Sequence, residues 1–205
     1  IGGRDMSEGI GARVLRKEDK RFITGKGRYT DDIIEPNQAY AAFVRSPHAH
    51  ARIVSVVAAA ALAIEGVEIV LTGPELVADG IGNIICGWGV TSKDGSPMNM
   101  GAWSALATEK VRYVGDAVAI VVADSKAQAK LAAEVVVVTY EELPVVVGSV
   151  DALAPSAPKI HDNAPGNLIF DWEIGDLSPT DAALASAAHV TEMEITNNRL
   201  APNPQ

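Results

Sequence analysis

The sequence predicts an α+β fold in which short strands alternate with short helices. Three observations predict it. Short runs rich in Val, Ile and aromatic residues recur at 39–44, 52–57, 67–71, 117–122 and 135–140. Alanine-rich stretches at 58–64 and 125–134 separate them, giving strand–helix–strand at about 51–71 and again at about 117–140. Between these units lies 80–105, punctuated by Gly80, Gly82, Gly87, Gly89, Gly95 and Gly101, which reads as surface loop. The two units share a pattern but no sequence repeat.

Residues 1–21 are polar and charged and read as an arm. Met6 sits inside this stretch, so the residues before it read as preceding an alternative start. Phe22 to Asp32 reads as a turn-rich hairpin, with Gly25 and Gly27 supplying unusual backbone angles. Ala39 to Val44 and Arg52 to Val57 are strands. Ala58 to Ile64 is a short helix that Gly66 ends. Val67 to Leu71 resumes as a strand. Thr72-Gly73-Pro74-Glu75 opens another short helix, with Pro74 in its first turn. Lys93-Asp94-Gly95 marks a turn. Order returns at Lys110, and Ala117 to Val122 is apolar enough for a buried strand. Asp124 or Ser125 caps a helix through Glu134, and Val135 to Tyr140 follows as a strand. From Asp151, Pro155, Pro158 and Pro165 punctuate a linker. Ser178 to Ala187 reads as a short helix and His189 to Leu200 as a strand whose partner lies elsewhere.

Composition narrows the function classes. The 205 residues are 48% hydrophobic and carry a net charge of −9, as a globular protein does. That net charge argues against a general nucleic-acid surface, because phosphate contacts need clustered Lys and Arg. The same charge disfavours an anionic membrane. No apolar run approaches the roughly 20 residues of a membrane span. Cys86 is the sole cysteine, so no internal disulfide forms, in keeping with a cytoplasmic location. One thiolate does not hold an iron–sulfur cluster.

No complete catalytic motif emerges, and no residue is assigned as catalytic, cofactor-binding or metal-binding. His48 and His50 share a face if extended, but no third metal ligand lies near, so they read as hydrogen-bonding residues of a corner. Gly25 and Gly27 lack the strand-then-helix context of a phosphate loop, and so does Ile81 to Gly89. Asp31 and Asp32 point to opposite faces of an extended chain and do not share a proton. Glu141 and Glu142 read as solvated turn residues. Cys86 reads as a small buried apolar residue. Ser104 and Thr108 have no neighbouring base. Arg45, Arg52, Arg112 and Tyr113 suit a domain or subunit contact, since Arg and Tyr supply multi-donor and aromatic anchors there.

The densest signature is RSPHAHARI (Arg45 to Ile53), set between two apolar runs. With it stand IGARVLRKEDKRFITGKGRYTDDI (Ile10 to Ile33), GWGVTSKDGSPM (Gly87 to Met98), EKVRYVGDAVAIVVADS (Glu109 to Ser125), VVTYEELPVV (Val137 to Val146), HDNAPGN (His161 to Asn167) and TNNRLAPN (Thr196 to Asn203). In this order they resemble the N-terminal part of the molybdenum-carrying chain of the xanthine dehydrogenase and aldehyde oxidase superfamily, aerobic carbon monoxide dehydrogenase-like large subunits above all.

That resemblance implies an α/β-hammerhead domain of mixed sheet with short helices over 22–150. It also implies the start of the following molybdopterin-binding domain over 151–205. Relatives bind a molybdenum-pterin cofactor further along and pass electrons through iron–sulfur clusters to FAD on partner domains or chains. The protein in such systems mainly positions and tunes the cofactor. Two departures stand out. Asp116-Ala117 replaces the family's usual Glu-Pro. The family's Asn-x-Met-Glu-Pro-Arg string, and the base glutamate and cofactor-contacting glutamine beyond it, are not reached before Gln205.

The expectation is therefore a hammerhead-bearing subunit or fragment of a molybdenum hydroxylase. Its role is structural and subunit-contacting, and it binds no cofactor alone. The partners implied are the remaining molybdenum-binding chain, FAD-binding and iron–sulfur subunits, in a multi-subunit assembly. A free-standing assembly or binding module of the same fold is the alternative, because fold constrains chemistry weakly. The 80–105 loop is the candidate lining of a substrate entrance.

Overall fold

The computed structural model describes residues 12, 15–101 and 103–195. The chain divides into two compact units. One is Ala39–Thr191, and the other is Ile1–Gln38 with Glu192–Gln205.

In the second of these units, Phe22 to Asp32 does not form the expected hairpin. Phe22 lies in helix α1, Asp19–Ile23. Gly25 follows at φ +69°. Its N–H donates to Phe22 O and the Lys26 N–H donates to Arg21 O. This double bond pattern closes a helix through a left-handed residue, which explains the glycine. The chain then turns back so that Phe22 and Tyr29 stack at 5.2 Å, and Thr30–Asp32 is a single 3-10 turn. Ring stacking, rather than strand pairing, makes this turn. Most of the expected 1–21 arm lies outside the described residues. Of the expected 189–200 strand, residues 189–195 have no strand structure and 196–200 lie outside the described residues.

The Ala39–Thr191 unit carries the sheets. Its strands are β1 (Tyr40–Arg45), β2 (Ala51–Val57), β3 (Val67–Thr72), β4 (Lys110–Val111), β5 (Ala117–Ala123) and β6 (Val137–Glu142). Its helices are α2 (Ala59–Leu62), α3 (Gly73–Ala78), α4 (Lys126–Val135), α5 (Ser149–Ala152) and α6 (Leu177–Ala185). The α+β class and the short helices are as the sequence predicts. One sheet has the order β1-β5-β3 and the other β4-β2-β6. All ladders between these strands are antiparallel.

Each strand–helix–strand unit crosses between sheets. The β2–α2–β3 unit runs from the second sheet to the first, and β5–α4–β6 runs back. As a result every one of these ladders joins a strand that precedes the 80–105 loop to a strand that follows it.

β5 centres the core because it is apolar on both faces. Ala119 and Val121 face a cluster with Ala61, Val70, Ala132 and Val136. Val118, one residue out of phase, faces a second cluster with Ala51, Ala107 and Val111. This is the two-residue alternation of a strand covered on both sides. Each fully buried valine stabilises the fold by roughly 1.5–3 kcal/mol. The small Ala129 and Ala132 side chains let α4 approach the sheet closely, and Ser125 Oγ caps the helix by accepting from the Gln128 N–H. α3 begins with a reciprocal cap, in which Glu75 Oε2 accepts from the Thr72 N–H and hydroxyl at 2.7 and 2.6 Å. Those two bonds pull the Glu75 carboxyl below its ordinary range. At the start of α3, Gly73 packs against the carbonyls of Leu106 and Ala107, where a Cβ would collide with backbone.

Candidate functional site

The RSPHAHAR corner joins β1 to β2. Ser46, fully enclosed, is its hub. Its N–H donates to Asp116 O (2.9 Å) and its carbonyl accepts from the Gly115 N–H (2.8 Å). Its hydroxyl accepts from the His48 N–H (3.0 Å) and donates to His48 O (3.1 Å). Gly115 manages this approach at φ +91°, beyond the reach of most side-chain-bearing residues.

The two histidines do different things. His50 Nδ1 lies 2.8 Å from Pro144 O. A carbonyl only accepts, so this nitrogen carries the hydrogen. His50 Nε2 is buried without a partner among the described residues. His48 tilts over Tyr140 at 4.9 Å and sets Nδ1 3.7 Å from Glu142 Oε1. The pair therefore does not converge on a point. Among the described residues no group of three His, Cys, Asp or Glu side chains is placed to hold a metal.

The arginines chosen from the sequence bond within the unit. Arg45 Nη1 donates to Gly115 O, and the guanidinium lies over Phe43. Arg52 pairs with Glu141 at 3.2 Å, so that carboxylate is a cross-strand partner as well as a solvated one. Arg112 Nε donates to Ile160 O (3.1 Å), its Nη1 donates to Lys110 O, and its N–H donates to Asp116 Oδ2 (3.0 Å). Tyr113 is half-exposed beside Trp103, 6.5 Å between rings.

Arg112 reaches a segment that the sequence left as plain linker. Asn167, at φ +56°, brackets that segment from inside. Its Nδ2 donates to Ala152 O and Pro158 O, and its Oδ1 accepts from the Ile160 N–H. His161 then packs over Gly101, where any Cβ would strike its ring, and lies 6.0 Å from Trp103. Asn163 Nδ2 donates to Met100 O. Lys110 Nζ meets Asp162 at 3.1 Å, and this pair holds the Asp162 carboxyl below its ordinary range. Ser46, Asn167, His161 and Trp103 escaped residue-level reading. Only membership of the quoted strings RSPHAHARI and HDNAPGN marks three of them.

Among the charged pairs of this region, burial holds one imidazole and two phenols uncharged. Burial, followed by the adjacent Arg112 charge, lowers the His161 pKa, so its imidazole stays uncharged near neutral pH. Burial raises the Tyr113 phenol, aided by Asp116, and burial raises Tyr140 against the opposing bond from Ser46. Cys86 differs from the buried cysteine expected. It is exposed, with Sγ 3.2 Å from Trp88 O. A single exposed thiol and these scattered histidines do not fit an iron–sulfur cluster or a directly ligated metal. The 80–105 loop is irregular as expected, apart from isolated bridges Asn83↔Ser104 and Thr91↔Pro97. Its Lys93-Asp94-Gly95 turn forms with Gly95 at φ +83°.

The family model for the aldehyde oxidase and xanthine dehydrogenase a/b hammerhead domain matches residues 24–144. The carbon monoxide dehydrogenase large chain of Hydrogenophaga pseudoflava is 38% identical over 209 residues, covering 96% of this chain and 24% of its own length. Among solved structures, reconstituted CO dehydrogenase from Oligotropha carboxidovorans aligns with TM-score 0.64 and 36% identity, covering 90% of this chain and 23% of that one. Quinoline 2-oxidoreductase from Pseudomonas putida 86 aligns with TM-score 0.66 and 37% identity, covering 86% and 21%. The chain thus spans about a quarter of the length of the relatives it matches. The matched span holds both sheets and the histidine corner, and the chain belongs to the aldehyde oxidase and xanthine dehydrogenase a/b hammerhead family.

Proposed function

We propose that this chain is the hammerhead-bearing piece of a molybdenum hydroxylase of the carbon monoxide dehydrogenase and xanthine dehydrogenase kind. Its own role is to brace and to contact, and it turns over no substrate alone. On this reading 1–21 is an arm, 22–150 the hammerhead domain, and 151–205 the lead into the molybdopterin-binding domain. The partners are the rest of the molybdenum-carrying chain and the FAD and iron–sulfur polypeptides, which hold those cofactors in the cytoplasm. The observation that carries the reading is the match to a carbon monoxide dehydrogenase large chain along 96% of these residues. The surface supports a contact role. The corner's exposed arginines are engaged by partners of their own chain, while Met100 and the neighbouring rings of Trp103 and Tyr113 stay about half exposed, side chains of the kind found at interface centres.

A chimera tests this. These residues replace the matching front of the Hydrogenophaga pseudoflava large chain, co-expressed with its partner subunits. The expected result is a chimera that retains molybdenum and co-purifies with those subunits. Joint Trp103→Ser and Tyr113→Ser substitution then weakens co-purification while leaving the melting temperature nearly unchanged. Oxidation of carbon monoxide, an aldehyde or a purine by the purified chain alone overturns the proposal. So does a folded chimera that binds neither molybdenum nor partners.

A further inference from the structure

Residues 168–174, Leu-Ile-Phe-Asp-Trp-Glu-Ile, run alongside the 92–99 loop. Leu168 is tied on both main-chain groups, its N–H donating to Pro165 O and its carbonyl accepting from Asn99 Nδ2, and across Ile169–Trp172 the main-chain bonds fall on alternate residues. Ile169 O accepts from the Asn99 N–H (2.7 Å) and Asp171 O accepts from the Lys93 N–H (2.7 Å). The Asp171 N–H donates to Ser92 Oγ (3.3 Å). That alternation is the one an extended chain shows, whose odd and even residues aim their main-chain groups to opposite sides, and 168–174 forms no ladder of its own. Beyond Leu168 the even side is open. The main-chain N–H and C=O groups of Phe170 and Trp172 have no partner among the described residues. The apolar side chains Phe170, Trp172 and Ile174 are exposed at 41%, 57% and 80%, and the Asp171 and Glu173 carboxylates between them are exposed as well. A bare edge carrying an apolar comb is a template for another extended backbone.

Charge defines that backbone further. The other face of the segment carries Asp171 and Glu173. Lys93 Nζ, 2.7 Å from Asp171, is the cation drawn to both carboxylates, so one positive charge answers two negative ones. A second copy of the same edge would set carboxylate against carboxylate, which is unfavourable across a strand pair. A neighbour with Lys or Arg at these positions is attracted instead.

We propose that Phe170–Ile174 is an open extended edge that accepts an extended polypeptide segment from outside these 205 residues, one in which apolar side chains alternate with Lys or Arg. The neighbour exchanges main-chain bonds with Phe170 and Trp172. Its apolar side chains cover the comb, and its cations face Asp171 and Glu173. This pairing needs no molybdenum and stands whether or not the chain serves a hydroxylase.

The 205-residue chain is titrated with a synthetic peptide of about nine residues in which Val alternates with Lys, long enough for a typical strand. A Val–Glu peptide serves as control, and amide hydrogen exchange is followed residue by residue. Exchange slows at Phe170 and Trp172 with the Val–Lys peptide and not with the control. Trp172→Pro removes an N–H that has no partner in the free chain, as edge positions tolerate. It weakens Val–Lys binding by at least about tenfold. Glu173→Lys leaves the backbone untouched and shifts preference toward the Val–Glu peptide. The proposal is overturned if saturating peptide leaves those two amides unprotected. It is equally overturned if Glu173→Lys leaves the preference unchanged, or if both amides are already protected by self-association without peptide.

Discussion

Around β5, Val118, Ala119 and Val121 are fully shielded from water and packed in two apolar clusters. From Ala152 to Asn167 the chain is held in another way. Side-chain amides and a guanidinium reach backbone carbonyls, and nearly every residue stays at least partly wet. The first region is built by burial, which is large, diffuse and indifferent to pH. The second is built by a few directional bonds, each modest in net energy. Core stability should therefore resist most single surface changes, while the bracket should open locally before the sheets do.

The largest effect should come from Val121→Asp, which places a charge in the β5 cluster. It costs on the order of 5 kcal/mol, comparable to the whole stability of a small domain. Loss of the cooperative thermal transition is expected, and a surviving sharp melt would break the contrast. Next comes Asn167→Ala, which removes three hydrogen bonds and puts a Cβ-bearing residue without a polar side chain at φ +56°. It costs roughly 2–4 kcal/mol. Amide exchange should accelerate across 152–167 with little change in β5, whereas uniform acceleration would mean the bracket and core form one unit. Gly73→Ala, where backbone must give way, should cost about 1–3 kcal/mol in denaturant unfolding.

A smaller effect follows from pH. His161 has a lowered pKa in the folded chain, with burial the leading cause. Its neutral packing is fully present above the unfolded value of about 6.5 and is lost as pH falls from there through the folded value. Melting temperatures between neutral and mildly acidic pH should decline less for His161→Gln than for the parent. Parallel declines would remove His161 from the account. Lys93→Met should change least, since its ion pair with Asp171 is exposed. A shift that persists in high salt would show that this pair does more than surface charges usually do.

Much of the burial-built region was legible in the sequence, and little of the bracket was. Ala117 to Val122 announces a buried strand by composition. Ser125 announces a helix cap, and Thr72-Gly73-Pro74-Glu75 announces a helix start, because these signals are local. Asn167 is not local in that sense. Its partners lie at Ala152, Pro158 and Ile160, and a sequence without periodicity gives no hint of them. His48 and His50 invited a shared role through their spacing, yet β6 and the turn after it draw them to separate partners. The Phe22–Asp32 hairpin failed for a related reason. Glycines signal reversal, but they do not say whether a strand or a stacked ring receives the chain. Nor did alternation within Leu168–Ile174 stand out against the surrounding prolines.

The crossing of every inter-strand ladder over the 80–105 loop bears on how the molecule is made. A ribosome releasing residues 39–79 delivers β1, β2 and β3, none of which pairs with another. They wait, apolar and unpaired, until β4, β5 and β6 emerge, which favours late and concerted assembly and a need for chaperone cover during synthesis. Once assembled, a protease cut in the 80–105 loop should leave the two pieces clasped, each supplying the neighbours of the other's central strand.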